Sequence, residues 1–298
     1  MKISVIGAGA LGTFYAAMLA ASGQDVTLVG RERDLPALRR GVEVTGAFAV
    51  SARPAVAAKP VPSDVVLVTV KSYDVPEAVT GIPTNPGTIV VIVHNGFGAD
   101  GAAAAVLGPC RVATGVSYCG VTFLEPGMVR AAGYTETVLG STDPGARDRL
   151  DLVANALARA GLKARVVDDI CAAQWEKMYA NVGINAITAL TGLPNGALLE
   201  VPELKALVTA TVGEAAAVSA ADGIAPGVDP VGLTFEVIRD TAGNRSSMLQ
   251  DVTRGKRTEI DALNGWICML GRRYGVPTPA NDALTALVKG LEKRGGQR

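Results

Sequence analysis

Ile3-Ser-Val-Ile-Gly-Ala-Gly-Ala-Leu-Gly12, a small-residue run to Ala21, and then Asp25-Val-Thr-Leu-Val29 decide the fold. A bare Gly-x-Gly-x-x-Gly spacing is common. Here it follows a strand-like run, opens a helix predicted over Ala10–Ala21 and precedes a second strand-like run, which is the context a dinucleotide-binding turn requires. Gly7 permits the tight turn, Gly9 lets backbone approach a pyrophosphate, and Gly12 lets helix and sheet touch. The helix N-terminus adds unpaired N–H groups and partial positive charge. Cofactor contacts are therefore expected at Gly7, Ala8, Gly9, Ala10, Leu11 and Gly12. The same stretch imitates a secretory leader, with Met1-Lys2 ahead of an uncharged run that ends in small residues. The glycine spacing and the second strand argue for a folded turn instead.

At the end of the second strand, NAD-specific folds place Asp or Glu to accept hydrogen bonds from the ribose 2′-hydroxyl. This chain has Gly30-Arg31 there. A guanidinium can hold a 2′-phosphate in bidentate fashion, whereas a carboxylate would repel it. Lys71, directly after the apolar run Val65–Val70, falls at the carboxyl end of the same predicted sheet. Arg31 and Lys71 together point to NADP(H). The neighbouring Glu32 is the residue that opposes this reading, and a solvated surface arginine is its bland alternative.

Further along, Val65–Val70 and Thr88–Val93 are short continuous apolar runs of the kind that form parallel strands covered on both faces. A helix is expected from Gly98 to Leu107. Extended segments follow at Val112–Phe123, Met128–Ala132 and Thr137–Leu139, then a helix near Arg147–Ala160 and a strand at Ala164–Val167. Beyond Val167 the pattern is helical. Asp168 or Asp169 can cap a helix reaching Leu190, Pro202 opens another, and Asp229-Pro230 and Thr278-Pro279 are cap-plus-proline signals. The predicted fold class is α/β: an N-terminal Rossmann-type dinucleotide-binding domain over 1–167 and an all-helical substrate and catalytic domain over 168–298.

Composition supports an enzyme with large cores. The chain has 298 residues, too many for one compact domain of ordinary size, and 49% of them are apolar. Lys plus Arg and Asp plus Glu are both 28, so no basic excess points to nucleic acid. Cys110, Cys119, Cys171 and Cys268 are dispersed, and His94 is the only histidine, which leaves no metal site to build. Free thiols fit a cytoplasmic protein, no membrane partner is expected, and small residues on the C-terminal helices permit a homodimer.

In the helical half, Lys177, Asn181 and Asn185 recur at intervals of four and so share one helix face. A lysine and two asparagines aligned on an otherwise apolar helix are unusual core filler, although a solvated stripe would look the same. A second cluster lies in Asn244-Arg-Ser-Ser-Met-Leu-Gln-Asp251, where Asn244 and Ser247 are three apart and are expected on one helix face. Thr258-Glu259-Ile-Asp261 follows Gly255. His94 could serve as an acid, as histidine does in many 2-hydroxy acid dehydrogenases, but a lining role suits it better because Lys177 can supply a proton.

At these residues the chain resembles the ketopantoate reductases (2-dehydropantoate 2-reductases). The matching elements are the glycine loop, Val68-Thr-Val-Lys71, His94-Asn-Gly-Phe-Gly98, Trp175-Glu-Lys-Met-Tyr-Ala-Asn181 with Asn185, Leu193-Pro-Asn-Gly196, and Ser246-Ser-Met-Leu-Gln-Asp251 followed by Thr258-Glu-Ile-Asp261. The resemblance extends from Lys2 to about Lys289. The resemblance implies that Lys177 is the proton donor and that Glu259 contacts the reacting end of substrate and cofactor. Asn95, Asn181, Asn185, Asn195 and Ser247 are implied to lie in the substrate and nicotinamide region, with Asn244 as a further substrate ligand. Asn95 and backbone near Val121 are implied cofactor contacts. The implied reaction is reduction of a small 2-oxo acid, 2-dehydropantoate, by NADPH in pantothenate biosynthesis. A related reductase of another branched 2-oxo acid, or a non-catalytic NADP(H)-sensing protein, are the alternatives.

Overall fold

The computed structural model describes residues 1–295. By internal contacts the chain forms two units: Met1–His94 with Gly98–Ile170, and Asn95–Phe97 with Cys171–Arg298. The first boundary thus lies three residues beyond Val167, because Gly140 leaves room for Ile170 to pack where a Cβ would stand 2.6 Å from Ile170 Cβ.

The first unit is built on one ten-stranded sheet: β1 (Lys2–Ile6), β2 (Asp25–Val29), β3 (Val42–Gly46), β4 (Val50–Ala52), β5 (Ala55–Ala57), β6 (Val65–Val68), β7 (Ile89–Val93), β8 (Val112–Glu125), β9 (Met128–Gly140) and β10 (Ala164–Val166). Its order is β4-β3-β9-β8-β7-β6-β1-β2-β5, with β10 paired to β9. From β8 to β5 the neighbours run parallel, while β8–β9 and β3–β4 are antiparallel. All five residues of β7, Ile-Val-Val-Ile-Val, are buried because both sheet faces are covered. Alternate residues feed two cores. Ile89, Val91 and Val93 join Phe14, Leu19 and Leu28 on one face, and Val90 and Ile92 join Val75, Val79 and Ala103 on the other. Burying each such side chain stabilises the fold by about 1.5–3 kcal/mol.

The helices of this unit are α1 (Ala10–Ala21), α2 (Leu35–Leu38), α3 (Val75–Thr80), α4 (Ala99–Leu107), α5 (Pro144–Arg147) and α6 (Leu150–Arg159). α1, β2 and the start of β8 agree with the sequence reading. The helix expected over Arg147–Ala160 is broken into α5 and α6, and the segments expected at 128–132 and 137–139 are one strand, β9. Residues 133–136 continue the pairing opposite register shifts at Tyr118/Cys119 and Gly120/Val121. The strands β3, β4 and β5 were not anticipated. Each has five residues or fewer, and β3 gains its parallel partner only from β9, far along the chain. A buried hydroxyl chain sits where α1 meets the hairpin. Tyr15 Oη bonds Ser117 Oγ at 2.8 Å and Thr137 Oγ1 at 2.6 Å, and Tyr134 Oη bonds Thr137 Oγ1 at 3.0 Å.

The second unit holds α7 (Ile170–Thr191), α8 (Ala197–Glu200), α9 (Pro202–Ala221), α10 (Pro230–Asp240), α11 (Ser247–Thr253), α12 (Asn264–Tyr274) and α13 (Pro279–Gly295). Its core joins Trp175, Met178, Tyr179 and Val182 of α7 to Val208, Val212, Ala215 and Val218 of α9, with Ile238, Met248, Ile267 and Leu284. α9 is long and apolar enough to cross a membrane by composition. It packs on α8, α10, α12 and α13, which accounts for an apolar face within a globular unit.

Polar bonds fix how these helices pack. Asp229 caps α10 as the sequence suggested, accepting from Val231 N at 3.1 Å. α13 is capped from a distance: Glu214 of α9 accepts from Ala280 N at 2.8 Å and from Asn281 N at 3.0 Å. Asn281 Nδ2 donates to the same carboxylate at 2.7 Å. Its Oδ1 accepts from Asn264 Nδ2 at 3.0 Å, which also donates to Val182 O of α7 at 3.2 Å. Asn264 and Asn281 are fully buried. Each such bond adds about 1 kcal/mol net, and leaving one partner unmade costs more.

Candidate functional site

In the first unit the expected cofactor residues stand at the carboxyl ends of β1, β2 and β6. Gly7 has φ +107°, a conformation that excludes most side chains, and its N–H donates to Val29 O at 3.0 Å. A Cβ on Gly12 would lie 1.9 Å from Gly7 O and 2.4 Å from Thr69 Oγ1, so only glycine lets α1 start this close to the turn. A Cβ on Gly9, the residue before α1, would meet nothing within 4 Å. Nothing in the packing requires glycine there. The open approach and an N-terminus without a side-chain cap fit a pyrophosphate held by backbone N–H groups.

Thr69 is the residue that sequence reasoning missed in this loop. Strand β6 ends at Val68, two residues before the expected end, and Thr69 turns to brace the glycine loop. Its Oγ1 lies 3.0 Å from both Ile6 O and Gly7 O, and its N–H donates to Ile6 O at 2.8 Å. The signal was present in Val68-Thr-Val-Lys71, but a threonine in a strand-like run reads as strand. Gly30 is explained by Leu38, whose Cδ1 would stand 2.7 Å from a Cβ there. Arg31 projects from the end of β2 with its side chain 69% exposed and pairs at 3.7 Å with Asp74. Asp74 lies three residues beyond Lys71, so the segments after β2 and β6 meet at this ion pair. The carboxylate that meets Arg31 is therefore Asp74 and not the adjacent Glu32. Val121 lies on β8 beside a register shift at Gly120/Val121.

In the second unit α7 presents Lys177, Asn181 and Asn185 on one face, while Met178, Tyr179, Val182 and Ala186 enter the core. Lys177 and Asn181 are half-buried and Asn185 is buried. Gly183 lets the opposite face approach its neighbours, since a Cβ there would stand 2.8 Å from Val212 and 3.0 Å from Thr234. Asn181 Nδ2 is buried and has no hydrogen-bond partner among the described residues. Such a donor carries a desolvation cost of about 1–3 kcal/mol unless a ligand or water accepts its hydrogen bond.

The other expected residues gather on loops of this unit. Asn195 donates from Nδ2 to Thr241 Oγ1 at 2.9 Å, and its backbone N–H donates to Asn244 O at 3.0 Å. Its Oδ1 is buried with no hydrogen-bond partner among the described residues. Asn244 and Ser247 do not share a helix face as expected. α11 begins at Ser247, with Ser246 as its cap, because Ser246 Oγ accepts from Leu249 N at 3.1 Å. Asn244 therefore lies in the preceding turn, tied to Asn195. Glu259 is buried, and its carbonyl accepts from Ala262 N at 3.0 Å and Leu263 N at 3.2 Å. Thr258 holds this turn through Ile260 N–H at 3.2 Å to its Oγ1 and its own N–H to Glu292 at 2.6 Å. Asn95 belongs to a short segment of this unit. Gly96 needs its positive φ of +84°, since a Cβ there would lie 2.1 Å from Ala262 O, and Phe97 packs on Trp175 and Trp266 with ring centroids 5.0 and 6.1 Å away. Among the described residues no cluster of three His, Cys, Asp or Glu side chains could hold a metal ion.

Comparison with known proteins matches both units. The family model described as ketopantoate reductase PanE/ApbA covers residues 3–144, and that of the PanE/ApbA C-terminal part covers residues 169–292. The 2-dehydropantoate 2-reductase of Archaeoglobus fulgidus is 34% identical over 98% of this chain and 98% of its own length. A crystal structure of a PanE/ApbA family ketopantoate reductase from Ralstonia eutropha JMP134 is 31% identical with a TM-score of 0.91, covering 99% of this chain and 100% of its own. A D-mandelate dehydrogenase solved with NADH and anilino(oxo)acetate is 24% identical with a TM-score of 0.92, over 99% and 100% of the two chains, and shares the fold.

Proposed function

Since the chain belongs to the ketopantoate reductase PanE/ApbA family, and is thus an oxidoreductase using a nicotinamide cofactor on a small molecule, we propose that it reduces 2-dehydropantoate to pantoate with NADPH. The observation that carries the substrate side is the Lys177–Asn181–Asn185 face, with a buried Asn181 amide donor that lacks an acceptor among the described residues. A 2-oxo acid supplies acceptors in its carboxylate and carbonyl. The glycine loop and the N-terminus of α1 hold the pyrophosphate, and Arg31 with Lys71 favours the 2′-phosphate of NADP(H).

The reduced nicotinamide, when bound, supplies a hydride to the C2 carbonyl carbon. As charge develops on the carbonyl oxygen, the Lys177 ammonium stabilises it and donates a proton, leaving a hydroxyl on C2 and a neutral amine on Lys177. Asn181, Asn185 and Ser247 donate neutral hydrogen bonds that orient the oxo acid, and Glu259 contacts the reacting end. Asn195 and Asn244 complete the substrate side through the turn they share, and Asn95 and Val121 contact the nicotinamide half.

An absorbance assay of NADPH consumption across a panel of branched and unbranched 2-oxo acids tests the proposal. The expected result is a kcat/KM for 2-dehydropantoate above those of the other acids, and higher with NADPH than with NADH. A clear preference for a different oxo acid would overturn the substrate assignment.

A further inference from the structure

The two segments assigned to the substrate, Asn185 on α7 and Ser247 at the start of α11, are joined behind the site by a pair of buried hydroxyls. Thr188 Oγ1 and Ser246 Oγ are 2.7 Å apart. Thr188 is fully buried and Ser246 is 7% exposed. Thr188 Oγ1 also lies 2.8 Å from Ile184 O and 3.1 Å from Asn185 O, both acceptors only. Its single proton therefore goes to the carbonyls of α7, and the proton between the two hydroxyls belongs to Ser246. Ser246 Oγ in turn accepts from Leu249 N at 3.1 Å. The protons thus run one way, from Leu249 N–H to Ser246, from Ser246 to Thr188, and from Thr188 to the carbonyls of Ile184 and Asn185. Each hydroxyl donates once, and such chains reinforce their members.

We propose that Thr188 and Ser246 are positioning residues that set the spacing between Asn185 and Ser247 for the 2-oxo acid. The inference rests on the assignment of those two residues to the substrate. Ser246 and Ser247 are adjacent, so whatever fixes the buried hydroxyl fixes the exposed neighbour. On the other flank the turn before α11 is held by Asn195, through Asn244 O and Thr241 Oγ1. Those bonds reach the loop from residues 192–196. The Thr188–Ser246 bond reaches it from the helix bearing Lys177.

The test compares Thr188→Val, which keeps the branched shape and removes the hydroxyl, with Thr188→Ser, which keeps the hydroxyl. Steady-state kinetics with 2-dehydropantoate are measured beside the NADPH dissociation constant from nicotinamide fluorescence. Thr188→Val should raise KM for the oxo acid about tenfold and lower kcat/KM by roughly 10–100-fold, since a displacement near 1 Å is enough for that loss. NADPH binding should stay within about twofold and Thr188→Ser should recover most of the loss, because one hydroxyl restores the chain. Ser246→Ala should reproduce the effect, and Thr188→Val/Ser246→Ala should be no worse than the weaker single variant, because both cut one chain. Unchanged KM in a folded Thr188→Val, equal loss of NADPH and substrate affinity, or strict additivity would each overturn the proposal. So would loss of the fold in both single variants, which would make the pair part of core stability. Failure of the substrate assignment would show in the wild-type protein, whereas failure of this proposal shows in the variants alone.

Discussion

On the proposed function, the glycine loop of the first unit and the α7–α11 region of the second solve the same problem, holding a polar ligand, by opposite means. The loop works by omission. Gly7, Gly9 and Gly12 remove side chains so that backbone N–H groups stand open, and Gly7 and Gly12 can be justified from atoms within a few residues or across one strand. The helical region works by supply, presenting Lys177, Asn181, Asn185 and Ser247 on rigid elements held from behind by Thr188, Ser246, Asn195 and Asn264. A backbone site tolerates no added atom, whereas a side-chain site tolerates no loss of support.

Lys177→Ala tests this contrast with the largest effect. It should lower kcat by about 10²–10⁴-fold while NADPH still binds, because proton donation is lost and the loop is untouched. Turnover close to wild type, measured by NADPH absorbance, would remove Lys177 from the proton step.

Within the loop, two glycines separate approach from packing. Gly9→Ala should leave thermal stability within about 2 °C of wild type, since its Cβ meets no atom of the protein, and should weaken NADPH binding by roughly 10–100-fold by obstructing the pyrophosphate. Gly12→Ala should instead lower the melting temperature markedly, because its Cβ would overlap Gly7 O. Equal behaviour of the two variants in calorimetry and fluorescence titration would break the distinction.

The smallest effect is expected at Arg31. Its guanidinium is exposed and already paired with Asp74 at 3.7 Å, so Arg31→Ala should lower the preference for NADPH over NADH by only about tenfold. A fall confined to NADPH is the signature of a 2′-phosphate contact. Equal losses for both cofactors would assign Arg31 to the adenosine or to stability.

Much of this fold was legible from sequence because its signals are local. The continuous apolar run Ile89–Val93 needs no partner to be read as a covered strand, and α1 follows from the turn that starts it. The strands β3, β4 and β5 were illegible for the opposite reason, as runs of three to five residues become strands only beside β9, β3 and β2 respectively. At the site, the face shared by Lys177, Asn181 and Asn185 follows from helical periodicity alone. The shared face of Asn244 and Ser247 does not survive, because Ser246 stops α11 from extending backward.

The sequence by itself determined that a dinucleotide turn opens the chain, that Gly30-Arg31 stands where an acidic residue would serve NAD, and that one helix carries a lysine and two asparagines on a face. Those features depend on spacings within about twenty residues, over which backbone geometry is nearly fixed. Tertiary structure alone decided that Thr69 braces the loop, that Asp74 meets Arg31, that Glu214 caps α13 and that Thr188 reaches Ser246. Each of those rests on hydrogen bonds or an ion pair between residues 40 or more apart. The chain can choose such partners only after hydrophobic burial has brought the elements together.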